Sequence, residues 1–314
     1  MITGADRVGL GLAALGRPAY ITSGRGQDLG GHRSVEQMRE RTAEVLDAAY
    51  AAGVRYVDCA RSYGVSESFL ASWLASRPGV SDVTVASKWG YRYVGDWEMT
   101  AETHERKDHS LAAFQEQWAA TQHELGSHVD VYQVHSLTPD SPALTDEPLL
   151  DALAALRDNG VRVGFSTSGP RQGDVVRQAI TITRGGDPLF RVVQSTWNLL
   201  EPSVGPALQE AADAGVHVVV KEALANGRLV DGDSPELQGA ATDLGIPLHQ
   251  AAFAAVAAQP WLGHVLSGAV TGSQVEENVA AASIPLSPSQ IDTLMVAKED
   301  PREYWAARSQ RAWA

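Results

Sequence analysis

Only one cysteine, Cys59, occurs in the 314 residues, so no disulfide can form within the chain, and that usage suits a reducing compartment. Positive charge is scarce too. Against 38 Asp and Glu stand 25 Lys and Arg, giving a formal net charge of -13. Without a basic stripe to displace counterions, binding to nucleic acid is disfavoured, and so is binding to an anionic membrane surface. No run approaches the roughly 18 apolar residues of a membrane span. The opening MITGADRVGLGLAALG has neither a basic leader nor a long apolar stretch, and the expectation is a cytoplasmic protein. Two motifs are missing as well. GLGLAALG only loosely echoes GxGxxG and lacks an acidic residue at the right distance, which argues against a Rossmann site. No glycine-rich phosphate turn follows the seventh apolar run, which disfavours a phosphate-sugar isomerase.

What the chain does contain is a regular alternation. Short β-branched runs (RVGLGL, VRYVDCA, VTVASK, VDVYQVHS, VRVGFSTS, RVVQSTW, HVVVKEA and HVLSGAV) alternate with longer alanine- and leucine-rich amphipathic stretches. Several of those stretches stop at a glycine, Gly53, Gly126, Gly160, Gly215 and Gly245, as helices ending in a left-handed residue do. Eight such units with no linker between halves predict an α/β fold, a single (β/α)8 TIM barrel over residues 1–314. Segments without periodicity run from Pro18 to Ser34, Gly90 to Lys107, Ser136 to Glu147 and Leu224 to Pro235. The last three follow strands and belong at the C-terminal mouth, where barrel loops carry chemistry. A last helix, PSQIDTLMVAKED, precedes an aromatic tail with Tyr304, Trp305 and Trp313.

Four polar residues fall at or just beyond strand ends: Asp58 closes VRYVD, Tyr63 follows in CARSYG, Lys88 closes VTVASK and His135 closes VDVYQVH. Each alone has an ordinary structural explanation, as a cap, a half-buried aromatic, a solvated charge or a core histidine. Gathered at one end of a barrel they suit carbonyl chemistry, in which charge developing on oxygen needs a proton donor and a polarising partner. A free tyrosine has a pKa near 10. A neighbouring Lys88 ammonium is expected to lower it, with Asp58 holding Lys88 and His135 orienting the carbonyl.

DCARSYGVSE, ASKWG and YQVHS, in that order, resemble the aldo-keto reductases, and the resemblance runs from GLGLAALG to EENVAAA. It implies an NAD(P)-dependent oxidoreductase with Tyr63 as general acid/base, Lys88 and Asp58 as its tuning pair and His135 as substrate orienter. It also implies an extended dinucleotide across the mouth: Ser166, Thr167 and Gln194 near the carboxamide, and Gly268, Ser273, Gln274, Glu277 and Asn278 around the adenosine. Relatives more often have asparagine where Thr167 stands, and many place Lys and Arg where Gly268 and Gln274 stand. The sequence leaves NADP(H) and NAD(H) open, leaning to NADP(H). Relatives usually put an aromatic ring at the position of Lys221. Either Lys221 contacts the cofactor phosphates, with Arg228 the other cationic candidate for them and Glu222 also placed at the cofactor, or another residue such as Trp197 packs on the nicotinamide.

Trp89, Tyr91 and Trp97, in the insertion after Lys88, are expected to meet a substrate with apolar faces and hydroxyls, a carbonyl compound or a sugar. YWAARS resembles a subset of the family that includes sugar dehydrogenases, so oxidation of an aldose by an aldose 1-dehydrogenase is an alternative. A low-turnover, cofactor-binding regulatory subunit like the channel accessory members of the family is another. No metal site is expected. A homo-oligomer is left open.

Overall fold

The computed structural model describes residues 4–22, 28–31, 33–231 and 234–313. The segments read from the sequence as Pro18 to Ser34 and Leu224 to Pro235 thus lie partly outside the described residues. Eight strands form a closed parallel barrel: β1 (Val8–Gly11), β2 (Tyr56–Asp58), β3 (Thr84–Trp89), β4 (Val129–Leu137), β5 (Arg162–Thr167), β6 (Val192–Thr196), β7 (His217–Lys221) and β8 (His264–Ser267). Each pairs with its neighbours in chain order, and β8 closes on β1. All eight coincide with the apolar runs of the sequence. Among the described residues no helix is long and apolar enough to cross a membrane.

The helices that cover the barrel include α1 (Val35–Ala51), α2 (Ser66–Ala75), α3 (Leu111–Leu125), α4 (Glu147–Asp158), α5 (Gln172–Ile180) and α6 (Gly205–Asp213). Next come α7 (Pro235–Asp243), α8 (Leu248–Ala257), α9 (Gly272–Ala281), α10 (Pro288–Leu294) and α11 (Pro301–Ser309). The five glycines taken as stops all have positive φ, a conformation that costs glycine little. The main core lies between barrel and helices. Inside the barrel, Tyr56, Ala86, Val131, Val192 and Val219 form a separate apolar plug.

Two local elements differ from the reading of the sequence. The insertion after β3 contains a hairpin, Tyr91–Tyr93 paired with Glu105–Lys107. Its three-residue strands are too short to show a period. The tail is helical as α11, where Asp300 accepts from the amides of Arg302 and Glu303 and Pro301 fills the first turn. Tyr304 and Trp305 are consequently buried in a satellite core with Leu199, Leu229 and Leu237, and only Trp313 lies outside the helix.

The glycines of GLGLAALG have a packing role. A Cβ on Gly16 would stand 2.3 Å from the Tyr63 carbonyl oxygen, and one on Gly64 would stand 2.3 Å from the Gly16 oxygen. Val65 N donates to Gly16 O at 2.9 Å, so the loops after β1 and β2 touch backbone to backbone. On the outer side of β3, the buried Glu67 carboxylate of α2 accepts from Arg61, from Ser87 and, at 2.8 Å, from Thr121. This network joins the Tyr63 loop, β3 and α3. Replacing Glu67 by alanine leaves Arg61 and two hydroxyls without their acceptor and is expected to cost about 3 kcal/mol, read as a lower urea midpoint at unchanged slope. Unchanged stability would rule out this clamp.

Candidate active site

Lys88 is fully buried at the end of β3 and its ammonium has three protons to place. One goes to Asp58 Oδ2, one to the Cys59 carbonyl at 3.1 Å and one to Tyr63 Oη at 3.3 Å. The other oxygen of Asp58 accepts from Gln194 Nε2 at 2.8 Å and Gln133 Nε2 at 3.3 Å. Every lone charge beneath the phenol is therefore paired. Tyr63 Oη accepts from Lys88, and His135 Nε2 lies 3.5 Å from the same oxygen. A carbonyl oxygen set between Oη and Nε2 would have both within reach.

Electrostatics fix the protonation states. Burial, reinforced by the Asp58 charge, pushes the Tyr63 phenol well above its usual range, and the Arg17 guanidinium pulls the other way. The lowering expected from Lys88 is not what this site shows, because Asp58 neutralises that ammonium at contact. Burial and the cations Lys88 and Arg17 hold His135 well below the ordinary histidine value, so it is neutral. Ser62 Oγ sits 3.3 Å from His135 Nδ1. If the hydroxyl donates there, the ring proton stands on Nε2, facing the phenol.

An open cavity of about 330 Å³ leads away from this cluster. Asp58, Tyr63 and Gln194 line it, together with Lys221 and Glu222 at the end of β7 and Gly268, Gln274, Glu277 and Asn278 at the start of α9 and the turn before it. A Cβ on Gly268 would meet nothing within 4 Å, so a side chain there would project into open space. Thr271 caps α9, accepting from Gln274 N at 3.3 Å, and Ser273 is exposed with its hydroxyl 3.1 Å from that of Thr271. Asn278 donates to Ser267 Oγ at 2.8 Å, and Gln274 donates to Asp28 at 2.8 Å.

Other residues singled out from the sequence stand back from the cavity. Ser166 accepts from Ser136 N at 2.8 Å, which fixes the positive-φ kink just after His135. Thr167 is buried against Ser195, 2.7 Å between hydroxyls. Arg228 pairs with Glu299 beside Tyr304. Trp197 packs edge-on to Trp261 in the helical layer, leaving Lys221 on the cavity wall. Of the three aromatic residues singled out in the insertion, Tyr91 is the one that reaches the cluster, with its ring 5.2 Å from that of His135. Trp89 is fully buried against Phe114, and Trp97 donates to Arg33 O at 2.7 Å and leans on Phe69. Trp89 ends a strand whose Lys88 points inward, so alternation turns it outward.

The model of the Aldo/keto reductase family matches residues 21–298. The chain belongs to the aldo/keto reductase family. Solved aldo-keto reductases share its fold. One from Bacillus halodurans, solved in its holo form, is 23% identical, with a TM-score of 0.69 over 94% of this chain and 92% of that one. The glycerol dehydrogenase of Gluconobacter oxydans is 20% identical, with a TM-score of 0.68 over 93% of each chain. An aldo-keto reductase of Klebsiella pneumoniae, in complex with NADPH, is 19% identical, with a TM-score of 0.66 over 94% of this chain and 93% of that one. No curated protein matches the sequence.

Several residues of this aldo-keto reductase site escape a reading of the sequence. Gln133 was findable: it is a polar residue two positions before His135 in an apolar strand, so both share the inward face. Ser62 directly precedes Tyr63, but nothing in the string says its hydroxyl turns to β4. Arg17, Tyr20 and Trp313 come from opposite ends of the chain and have no local signal.

Lys221 gives this reductase a pH signature. Burial lowers its ammonium to about 8 against the opposing pull of Glu222, whose own carboxylate is held at about 2 by Arg308 and by Lys221. Lys221 is charged below that pH and loses its proton as pH rises through it. The affinity for NADH or NADPH, followed by fluorescence titration, is expected to weaken as pH rises through about 8, and Lys221→Met should flatten that dependence. An identical profile in the variant would exclude Lys221 from the anion's surroundings.

Proposed function

We propose that this aldo-keto reductase interconverts a carbonyl and an alcohol, with Tyr63 giving or taking the proton on oxygen. The observation that carries the reading is the arrangement of Tyr63 Oη, accepting from Lys88 at 3.3 Å, beside a neutral His135 whose Nε2 is 3.5 Å away. A bound nicotinamide dinucleotide supplies or accepts the hydride. Tyr63 donates its proton to the oxygen as charge builds there, Lys88 steadies the phenolate left behind, and Asp58 keeps Lys88 in place. His135 orients the oxygen from its other side. With the phenol protonated at neutral pH, the site is set to give a proton to the oxygen of an aldehyde, ketone or sugar carbonyl. Aldose oxidation needs the phenolate and gains as pH rises.

Gln194, Lys221, Glu222, Gly268, Gln274, Glu277 and Asn278 are the residues on the cavity wall that would hold the dinucleotide. Ser166 and Thr167 would act from behind that wall, and Ser273 from the exposed turn of α9. Arg228, engaged with Glu299, is left out of this set. Tyr91, and Tyr20 from the cavity lining, would form the substrate wall. The Klebsiella neighbour binds NADPH, and the sequence leans the same way. At the α9 end, however, the wall presents the carboxylates of Asp28 and Glu277, which would repel a 2′-phosphate and suit a ribose hydroxyl. NAD(H) is therefore our reading.

Fluorescence titration with NADH and NADPH, followed by turnover on a panel of aldehydes, ketones and aldoses, tests both statements. NADH is expected to bind more tightly, and Glu277→Gln to narrow the gap. Tyr63→Phe should keep cofactor affinity and lose activity by roughly two to four orders of magnitude. A fully active Tyr63→Phe enzyme would remove Tyr63 from the chemistry. Tight cofactor binding without turnover on any carbonyl would favour a regulatory subunit.

A further inference from the structure

Arg17 follows the glycine that touches the Tyr63 loop, and although it is 1% exposed it sits beside the reacting cluster. Its guanidinium carbon lies 4.9 Å from the centre of the Tyr63 ring, 4.6 Å from that of Tyr20 and 4.8 Å from that of Trp313. Its nitrogens donate to the Ala13 carbonyl at 3.0 Å, the Ser62 carbonyl at 3.2 Å and Glu105 Oε1 at 2.7 Å. One side chain thus joins the loop after β1, the residue preceding Tyr63, the hairpin after β3 and the end of the tail. A planar guanidinium can face rings while its edge donates, which a lysine cannot do.

We propose that Arg17 is a positioning residue for Tyr63, fixing the phenol ring through its face and through the Ser62 carbonyl, and lending a positive charge that steadies the phenolate, with Glu105 tempering that charge. The inference rests on the reading of Tyr63 as the proton donor. The charged and titratable groups facing the phenol are Lys88 and Asp58 from β3 and β2, His135 from β4, Tyr20 and Arg17 from the loop after β1, and Glu105 from the hairpin. Lys88 and Asp58 are paired, and His135 is neutral. Arg17 and Glu105 are thus the pair whose balance can be altered without dismantling the cluster. Arg17 also touches Trp313, which stacks on His104 at 4.2 Å, so docking of the tail completes its surroundings.

The test uses the full-length protein labelled with fluorotyrosine, whose phenols ionise at lower pH. Fluorine NMR follows the Tyr63 resonance, assigned by its loss in Tyr63→Phe, and kcat and KM are measured alongside. Arg17→Met is expected to move the ionisation of residue 63 to higher pH by roughly one unit and to lower kcat for alcohol oxidation roughly tenfold, with KM little changed. Glu105→Gln, at the partly buried edge of the hairpin, should move the same resonance to lower pH and raise oxidation at fixed pH. Arg17→Lys should fall between Arg17→Met and the unaltered protein. Packing alone would not produce shifts of opposite sign. Both variants leaving the titration unmoved, or moving it the same way, would overturn the proposal. Should Arg17→Met fail to fold, Glu105→Gln decides, a downward shift supporting the proposal and no shift refuting it. If no carbonyl is turned over, the reading of Tyr63 falls, while the resonance still reports whether Arg17 acts on the phenol.

Discussion

A carboxylate and an ammonium buried at the ends of neighbouring strands are tolerable only together. Removing such ions from water costs several kcal/mol each, and their attraction offsets this only when the remaining lone pairs and protons are also placed. Asp58 and Lys88 meet that condition: the carboxylate has its second oxygen on two glutamine amides, and the ammonium spends its spare protons on a carbonyl and on Tyr63. The hydrogen bond that steadies the phenol is thus one of the bonds that makes the buried pair bearable. Stability and chemistry share an interaction.

The same pairing explains why Tyr63 keeps its proton. An isolated ammonium at hydrogen-bond distance would favour the phenolate, but Asp58 lies against Lys88 and cancels most of its field. Burial then dominates. His135 experiences the same desolvation with the opposite sign, so an acid that stays protonated faces an imidazole that stays neutral. In the reaction we propose, that combination would hold the substrate oxygen without placing a second free charge beside it.

How much of this was legible depended on whether the determinants were local. The eight strands could be read because each is an apolar run flanked by turn residues, and Asp58, Lys88 and His135 because they end such runs. Aromatic residues in the insertion were harder. A list of rings does not say which face a strand turns outward, so Trp89 and Tyr91, two positions apart, fared differently once the hairpin began between them. Trp97 turns to Arg33, a partner 64 residues away in sequence. Arg17, Tyr20 and Trp313 meet only after the barrel closes and the tail crosses its mouth. Glycines were ambiguous for another reason. Those of GLGLAALG only loosely echo a dinucleotide-binding turn, and what Gly16 serves is a place where two backbones touch.

The account stands or falls on whether Asp58 and Lys88 act as one unit. A double-mutant cycle with Asp58→Asn, Lys88→Met and the double variant, read as unfolding free energies in urea at neutral pH, measures that directly. Each single change strands a buried charge or its partners and is expected to cost about 3–5 kcal/mol, with the double variant costing clearly less than the sum. Costs that simply add would mean that the two residues are held independently and that the pair does not organise the site.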